Sequence, residues 1–253
     1  MSSKMLAGKV IAVTGAARGI ARGTAIYLAE RGAILSLSDI LEKELEELAN
    51  EITSRYPDVR LLASVIDIAD GDKVDEWVKK TVAEFGSLHG AVNFAGIFHS
   101  KTEHFVDIKD EDWHRIMAVN LTGTMFCMRS EIAVMEKGGS IVNASSTAGL
   151  MAGPGFVAYA ASKAAIISLT RSAAKEIGAQ QIRVNALAPA GIVTPMFHQL
   201  FDDGIVNEMV ITPNALNRDG HVEEVAPLIA FLLGDESRYI TGEIIKVDGG
   251  MLC

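Results

Sequence analysis

The chain predicts an α/β fold, a doubly wound parallel sheet in a single domain, and three observations carry that expectation. Short apolar runs rich in β-branched residues alternate with longer helical patterns through most of the 253 residues. The apolar runs are continuous rather than alternating, as in parallel strands covered on both faces. No composition shift marks a linker and no internal repeat appears, so one sheet wrapped by helices suits this length better than two domains.

Taken in order, a first strand over 9–14 runs into a glycine-rich turn and a helix over 20–31. Gly32 closes that helix, a strand over 33–38 follows, and a helix is expected over 42–56. A third strand over 60–65 precedes a helix over 72–85 that stops at Gly86. The fourth strand, 90–93, is followed by a long helix over 111–135, the Gly138-Gly139 break and a fifth strand over 140–144. A helix over 157–178 and a strand over 183–188 come next. An irregular stretch over 191–220 separates them from a helix over 223–233, ended by Gly234, and a last strand over 243–247. Long connections in compact domains are commonly functional, so 191–220 is expected to be a substrate loop.

Composition excludes several roles. A net charge of −9 with few basic clusters argues against nucleic acid or an anionic membrane as partner. Cys127 and Cys253 stand far apart, so neither a disulfide framework nor a metal site is expected; Cys127 reads as a small core residue. No signal-type apolar region and no run of roughly 18 apolar residues is present, so a cytoplasmic protein is expected.

Chemistry is suggested first by Tyr159 and Lys163, one helical turn apart and therefore on one helix face, with Ser146 earlier in Ser145-Ser146-Thr147. A phenol with a pKa of about 10 is a poor acid and base at neutral pH, and a nearby ammonium favours the phenolate. The pair alone also suits an ordinary solvated helix face. The turn Thr14-Gly15-Ala16-Ala17-Arg18-Gly19-Ile20-Ala21 could bring main chain against a phosphate at the positive end of a helix. Asp39, ending the second strand, either accepts from a ribose 2′-hydroxyl or caps the next helix. Asp67, ending the third, either faces an adenine amino group, with Ile68 lining the ring, or is a cap.

Together these segments resemble the short-chain dehydrogenase/reductases, in the single-domain subtype of Rossmann-like fold, and the resemblance spans essentially the whole chain. Its carriers are Thr14-Gly15-x-x-x-Gly19, Asn93-Phe94-Ala95-Gly96, Asn120, the set Ser146, Tyr159 and Lys163, Pro189-Ala190-Gly191-Ile192-Val193-Thr194, Ile240-Thr241-Gly242 and Val247-Asp248-Gly249-Gly250. Three positions depart from the family pattern: Ala21 replaces the third turn glycine, Ala190 a glycine after the proline, and Phe94 a second asparagine. Ala190 requires its turn to avoid φ > 0 or accept strain.

The resemblance implies an NAD(P)-dependent oxidoreductase interconverting a secondary alcohol and a ketone. Tyr159 would move the hydroxyl proton, Ser146 would hold the oxygen, Lys163 would tune the phenol and grip the nicotinamide ribose, and Asn120 would hold a relay water. Gly15, Arg18, Gly19, Ile20, Asp39, Asp67, Ile68, Asn93, Ala95, Gly96, Pro189, Ile192 and Thr194 would contact the cofactor, with Tyr159 and Lys163. Asp39 favours NAD over NADP by repelling a 2′-phosphate, whereas Arg18 could pair with one. Phe98, Leu150, Met151, Phe156, Met196, Phe197, Met209 and Val210, with His99 and His198, are expected near the substrate and suit a hydrophobic or aromatic small molecule. His99 and His104 read as loop histidines rather than metal ligands. A homotetramer or homodimer is implied, paired through the helices over 111–135 and 157–178. Two rival readings keep the nucleotide: an epimerase, dehydratase or cyclase with no net redox, and a non-catalytic binding subunit.

Overall fold

A computed structural model describes residues 5–99, 104–151, 153–202 and 214–253. Seven strands form one parallel sheet: β1 Val10–Thr14, β2 Ile34–Asp39, β3 Leu61–Val65, β4 Leu88–Asn93, β5 Met135–Ala144, β6 Arg183–Pro189 and β7 Ile244–Val247. Their order is β3-β2-β1-β4-β5-β6-β7. The chain winds outward from β1 in one direction, then returns to β4 and winds in the other. The crevice at the carboxyl ends of β1 and β4 is therefore the switch point where such sheets bind ligands.

The central strands are buried on both faces, which is why they read as unbroken apolar runs: every residue of β1 and of β6 is buried. One layer of helices holds α1 Gly19–Glu30, α2 Glu42–Arg55 and α8 Val222–Leu233, whose Ala21, Leu28, Leu48 and Ile229 join Ile11, Leu35 and Val142 in one core. The opposite layer holds α3 Gly71–Phe85, α5 Thr124–Val134 and α6 Val157–Ile177, with Trp77, Cys127 and Ile177 packed on Val10, Ala91 and Ile141. Cys127 is a buried core residue, as expected.

Three expectations require correction. The single helix over 111–135 is three segments: α4 Asp110–Ile116, a π-helical turn Met117–Gly123, and α5. The wide turn surrounds Asn120, which is fully buried and turned toward main chain outside the helix. π-turns of this kind are frequent at functional sites. The fifth strand begins at Met135 rather than 140, because Met135 pairs with Leu88 before a register shift beyond Gly138 and Gly139. The stretch expected as irregular also contains a helix, α7 Pro195–Asp202. Among the described residues no helix is long and apolar enough to cross a membrane.

Candidate active site

A cleft of about 990 Å³ opens at the carboxyl ends of the strands. One half could hold an anionic, nucleotide-shaped ligand. Gly15 turns with φ +70°, and a Cβ there would lie 2.7 Å from the Ala95 Cα, so only bare main chain fits between β1 and the segment after β4. The turn leads into α1, whose N-cap Arg18 supplies no side-chain cap. The helix thus presents its first N–H groups and positive end to the cleft. Asp39 is pre-set: its Oδ2 accepts from Ala17 N–H at 2.9 Å and its Oδ1 from Leu41 N–H at 3.0 Å. Its carboxylate therefore ties the glycine turn to the entry of α2 while lining the cleft. Asp67 Oδ1 accepts from Ala69 N–H at 2.9 Å, and Asp70, not Asp67, caps α3.

Gly15, Arg18, Gly19, Ile20, Asp39, Asp67, Ile68, Ala95, Gly96, Pro189, Ile192 and Thr194 all line this cleft. Asn93 does not; its buried amide donates to Glu131 Oε2 at 2.9 Å and Asn143 Oδ1 at 3.2 Å, beneath the site. Ala21 is absorbed by the core, and Ala190 avoids strain, since Gln181 and Asn217 are the described non-glycine residues with positive φ.

The other half carries Ser146, Tyr159 and Lys163. Ser146 follows β5 and caps a short 3-10 turn, Thr147–Gly149, by accepting from Ala148 N–H at 3.1 Å. Its hydroxyl also hydrogen-bonds the Tyr159 phenol, drawing that pKa down while burial pushes it up more strongly. Lys163 is 5 % exposed; its Nζ donates to Ala144 O at 2.9 Å and lies 5.6 Å from the centre of the Tyr159 ring. Burial lowers its pKa to about 8, which puts a mobile proton near working pH. Asn120 lies behind the wall: its Oδ1 accepts from Ile97 N–H at 2.8 Å and its Nδ2 donates to Ile97 O at 2.9 Å.

Ser146 is held against Tyr159 by a close main-chain contact. A Cβ at Gly149 would stand 2.7 Å from the Lys163 carbonyl carbon and 2.8 Å from its oxygen. Gly149→Ala is therefore expected to destabilise the fold by about 1–3 kcal/mol and to slow turnover by moving the serine turn off α6. Thermal melts with steady-state rates check this; unchanged values for both would show that the contact is not limiting.

Phe98, Met151, Phe156, Met196 and Phe197 form an apolar wall of the cleft beside Tyr159. Phe98 is the nearest ring, 4.5 Å from Tyr159 and 5.0 Å from Phe156, centre to centre. Leu150 and His198 are exposed and lie outside that lining, while Met209 and Val210 fall outside the described residues. Two features escaped the sequence reading. His99, expected near the substrate and read as a loop histidine rather than a metal ligand, lines the cleft, is 5 % exposed and accepts from Tyr159 N–H through Nε2 at 3.2 Å. Glu131, on α5, is fully buried against Asn93. Both partnerships join residues distant in sequence, which no local pattern signals.

Comparison with known proteins points to one family. A family model described as "Enoyl-(Acyl carrier protein) reductase" matches residues 15–252. The "Short-chain dehydrogenase/reductase aba4" of Botryotinia fuckeliana (strain B05.10) is 43% identical over 262 aligned positions, covering 100% of both chains. The crystal structure of a levodione reductase superposes with a TM-score of 0.91 at 32% identity, covering 96% of this chain and 97% of that one. A carveol dehydrogenase from Mycobacterium avium in complex with NAD gives 0.90 at 30% identity, with 98% and 99% covered. Sequence, fold and relatives agree: the chain belongs to the short-chain dehydrogenase/reductase family and is an NAD(P)-dependent oxidoreductase acting on small molecules.

Proposed function

We propose that the enzyme interconverts a secondary alcohol and a ketone on a hydrophobic or aromatic small molecule, with NAD as its preferred cofactor. The observation that carries this is the alignment of Ser146, Tyr159 and Lys163 along one side of a cleft walled by Phe98, Met151, Phe156, Met196 and Phe197. The nicotinamide, when bound, accepts or returns the hydride. Tyr159 takes the hydroxyl proton in oxidation and returns it in reduction. Ser146 donates to the same oxygen and stabilises its developing charge. Lys163, with its pKa near 8, passes the proton onward and holds the ribose hydroxyls. Asn120 keeps the segment after β4 in place through Ile97 and, as the family resemblance implies, would hold the water that relays the proton from Lys163 to solvent.

The preference for NAD rests on carboxylates. A 2′-phosphate would meet Asp39 at the end of β2, a costly juxtaposition in a partly dry cleft. The competing cation, Arg18, is ion-paired with Glu44 on α2. The similar carveol dehydrogenase was solved with NAD, which favours the same choice. Asp39→Ala is expected to narrow or reverse the preference, read as the ratio of kcat/KM for NAD and NADP. Comparable efficiency with both cofactors in the parent enzyme would overturn the assignment. A panel of cyclohexanol, carveol and 1-phenylethanol with their ketones, run with both cofactors, tests the substrate class. Faster turnover of the larger apolar alcohols is expected, and preference for short polar alcohols would contradict it. By family likeness we also propose a dimer or tetramer, which elution as a monomer at micromolar concentration would contradict.

A further inference from the structure

We infer that His99 is a positioning residue for Tyr159, closing a ring of hydrogen bonds that fixes the main chain of the catalytic tyrosine at both its N–H and its C=O. The inference rests on Tyr159 being the proton-transfer group.

Tyr159 is the third residue of α6, so its N–H is one of those a helix leaves without an internal partner. The N-cap residue, Phe156, has no side chain that could serve it. His99 serves it instead, from sixty residues away, through Nε2 at 3.2 Å. Acceptance requires Nε2 to carry no proton, which the Nδ1–H tautomer provides.

The carbonyl of Tyr159 is held as well. Ser162 Oγ donates to it at 2.7 Å and accepts from Asn120 Nδ2 at 3.2 Å. Asn120 in turn clamps both main-chain groups of Ile97, two residues before His99. The circuit therefore runs from Tyr159 N–H to His99, along the chain to Ile97, across to Asn120, through Ser162 and back to the Tyr159 carbonyl. Three separate segments meet in it: the loop after β4, the π-turn and α6, the last at two positions. The His99 ring is wedged between Phe98 at 5.8 Å and Phe156 at 6.2 Å, centre to centre, so its acceptor nitrogen cannot swing freely.

This arrangement sets where the phenol points. Tyr159 sits at the start of α6, where a helix frays most easily, and a displacement of about 1 Å at a reacting group can cost roughly 10²-fold. His99 thus converts a helix end into a fixed platform without touching the reacting atoms.

The test uses the full-length enzyme and three substitutions. His99→Phe and His99→Leu fill the space but accept no hydrogen bond, and His99→Gln returns an acceptor at the reach of Nε2. Rates are measured with NAD and the fastest of carveol and 1-phenylethanol, alongside melting temperatures. The apolar variants are expected to lose about ten- to a hundredfold in kcat with the KM for NAD within about twofold, and the glutamine variant to recover most of the loss. Apolar variants within about twofold of the parent kcat, or a glutamine variant as slow as leucine, would overturn the proposal. Should both apolar variants unfold, His99→Asn replaces them: its acceptor falls short of Tyr159, so it must be slower than His99→Gln, and equal rates overturn the proposal. Tyr159→Phe is run in parallel. If it retains turnover, the proton-transfer reading itself fails; if it collapses while the His99 variants do not, the positioning role alone fails.

Discussion

Tyr159→Phe is expected to lower turnover by about 10²–10⁴-fold, the range associated with one positioned acid-base group, while NAD still binds. The substitution removes one oxygen and keeps the ring packed 4.5 Å from Phe98. It also leaves the Ser146 hydroxyl without its phenol partner, but the serine remains anchored through Ala148. Gly15, Arg18, Gly19 and Asp39, which line the same cleft, are left unchanged. Rate and binding should therefore separate cleanly: kcat falls, and NAD affinity measured by fluorescence titration stays within about twofold. A loss of tenfold or less in kcat would remove Tyr159 from the proton-transfer role.

The second large effect is one of stability, and it lies beneath the site. Glu131 is fully buried between α5 and β4, where burial lifts its carboxyl from 4.5 to about 7. Asn93 Nδ2 donates to its Oε2 and offsets part of that rise. Glu131 Oε1 and Asn93 Oδ1 are both buried acceptors without a hydrogen-bond partner among the described residues. A protonated carboxyl, or the amide of a glutamine, brings a donor to that pair; a carboxylate cannot. The folded protein holds the Glu131 proton between pH 4.5 and about 7, where the unfolded chain has released it. Stability from this group is thus full below pH 4.5 and is lost as pH rises through about 7. The loss is on the order of 3 kcal/mol above that window. Glu131→Gln should match the parent near pH 5 and exceed its stability near pH 8 by about that amount, as read from urea denaturation at both pH values. Equal destabilisation at both would mean that the carboxyl is ionised and paired in the fold.

Much of this molecule was legible from local pattern. The seven strands are short, apolar and bounded by glycine or polar residues, so their positions follow from the requirement that a doubly covered sheet bury both faces. The glycine turn, Asp39 and the Ser146, Tyr159 and Lys163 set lie at strand ends and on one helix face, where spacing alone brings them to one crevice. What escaped is of a different kind. The π-turn at Met117–Gly123 uses the same apolar residues as an ordinary helix and differs only by one residue of winding, set by the clamp between Asn120 and Ile97. The side chain of Asn93 belongs to the cleft by motif but to the interior by structure, because Glu131 and Asn143 capture it. His99 looks like a loop residue until α6 is laid against it. Such long-range polar contacts depend on how layers pack, and no periodicity encodes them.

The proposed reaction couples net hydride exchange to a proton moved by Tyr159. The most direct measurement is the stoichiometry of product and reduced cofactor when 1-phenylethanol or carveol is incubated with NAD. One ketone is expected for each NADH formed, at a rate that collapses in Tyr159→Phe. Product accumulating with no net change in NADH would contradict it, and would make the protein an isomerising or eliminating enzyme built on the same fold.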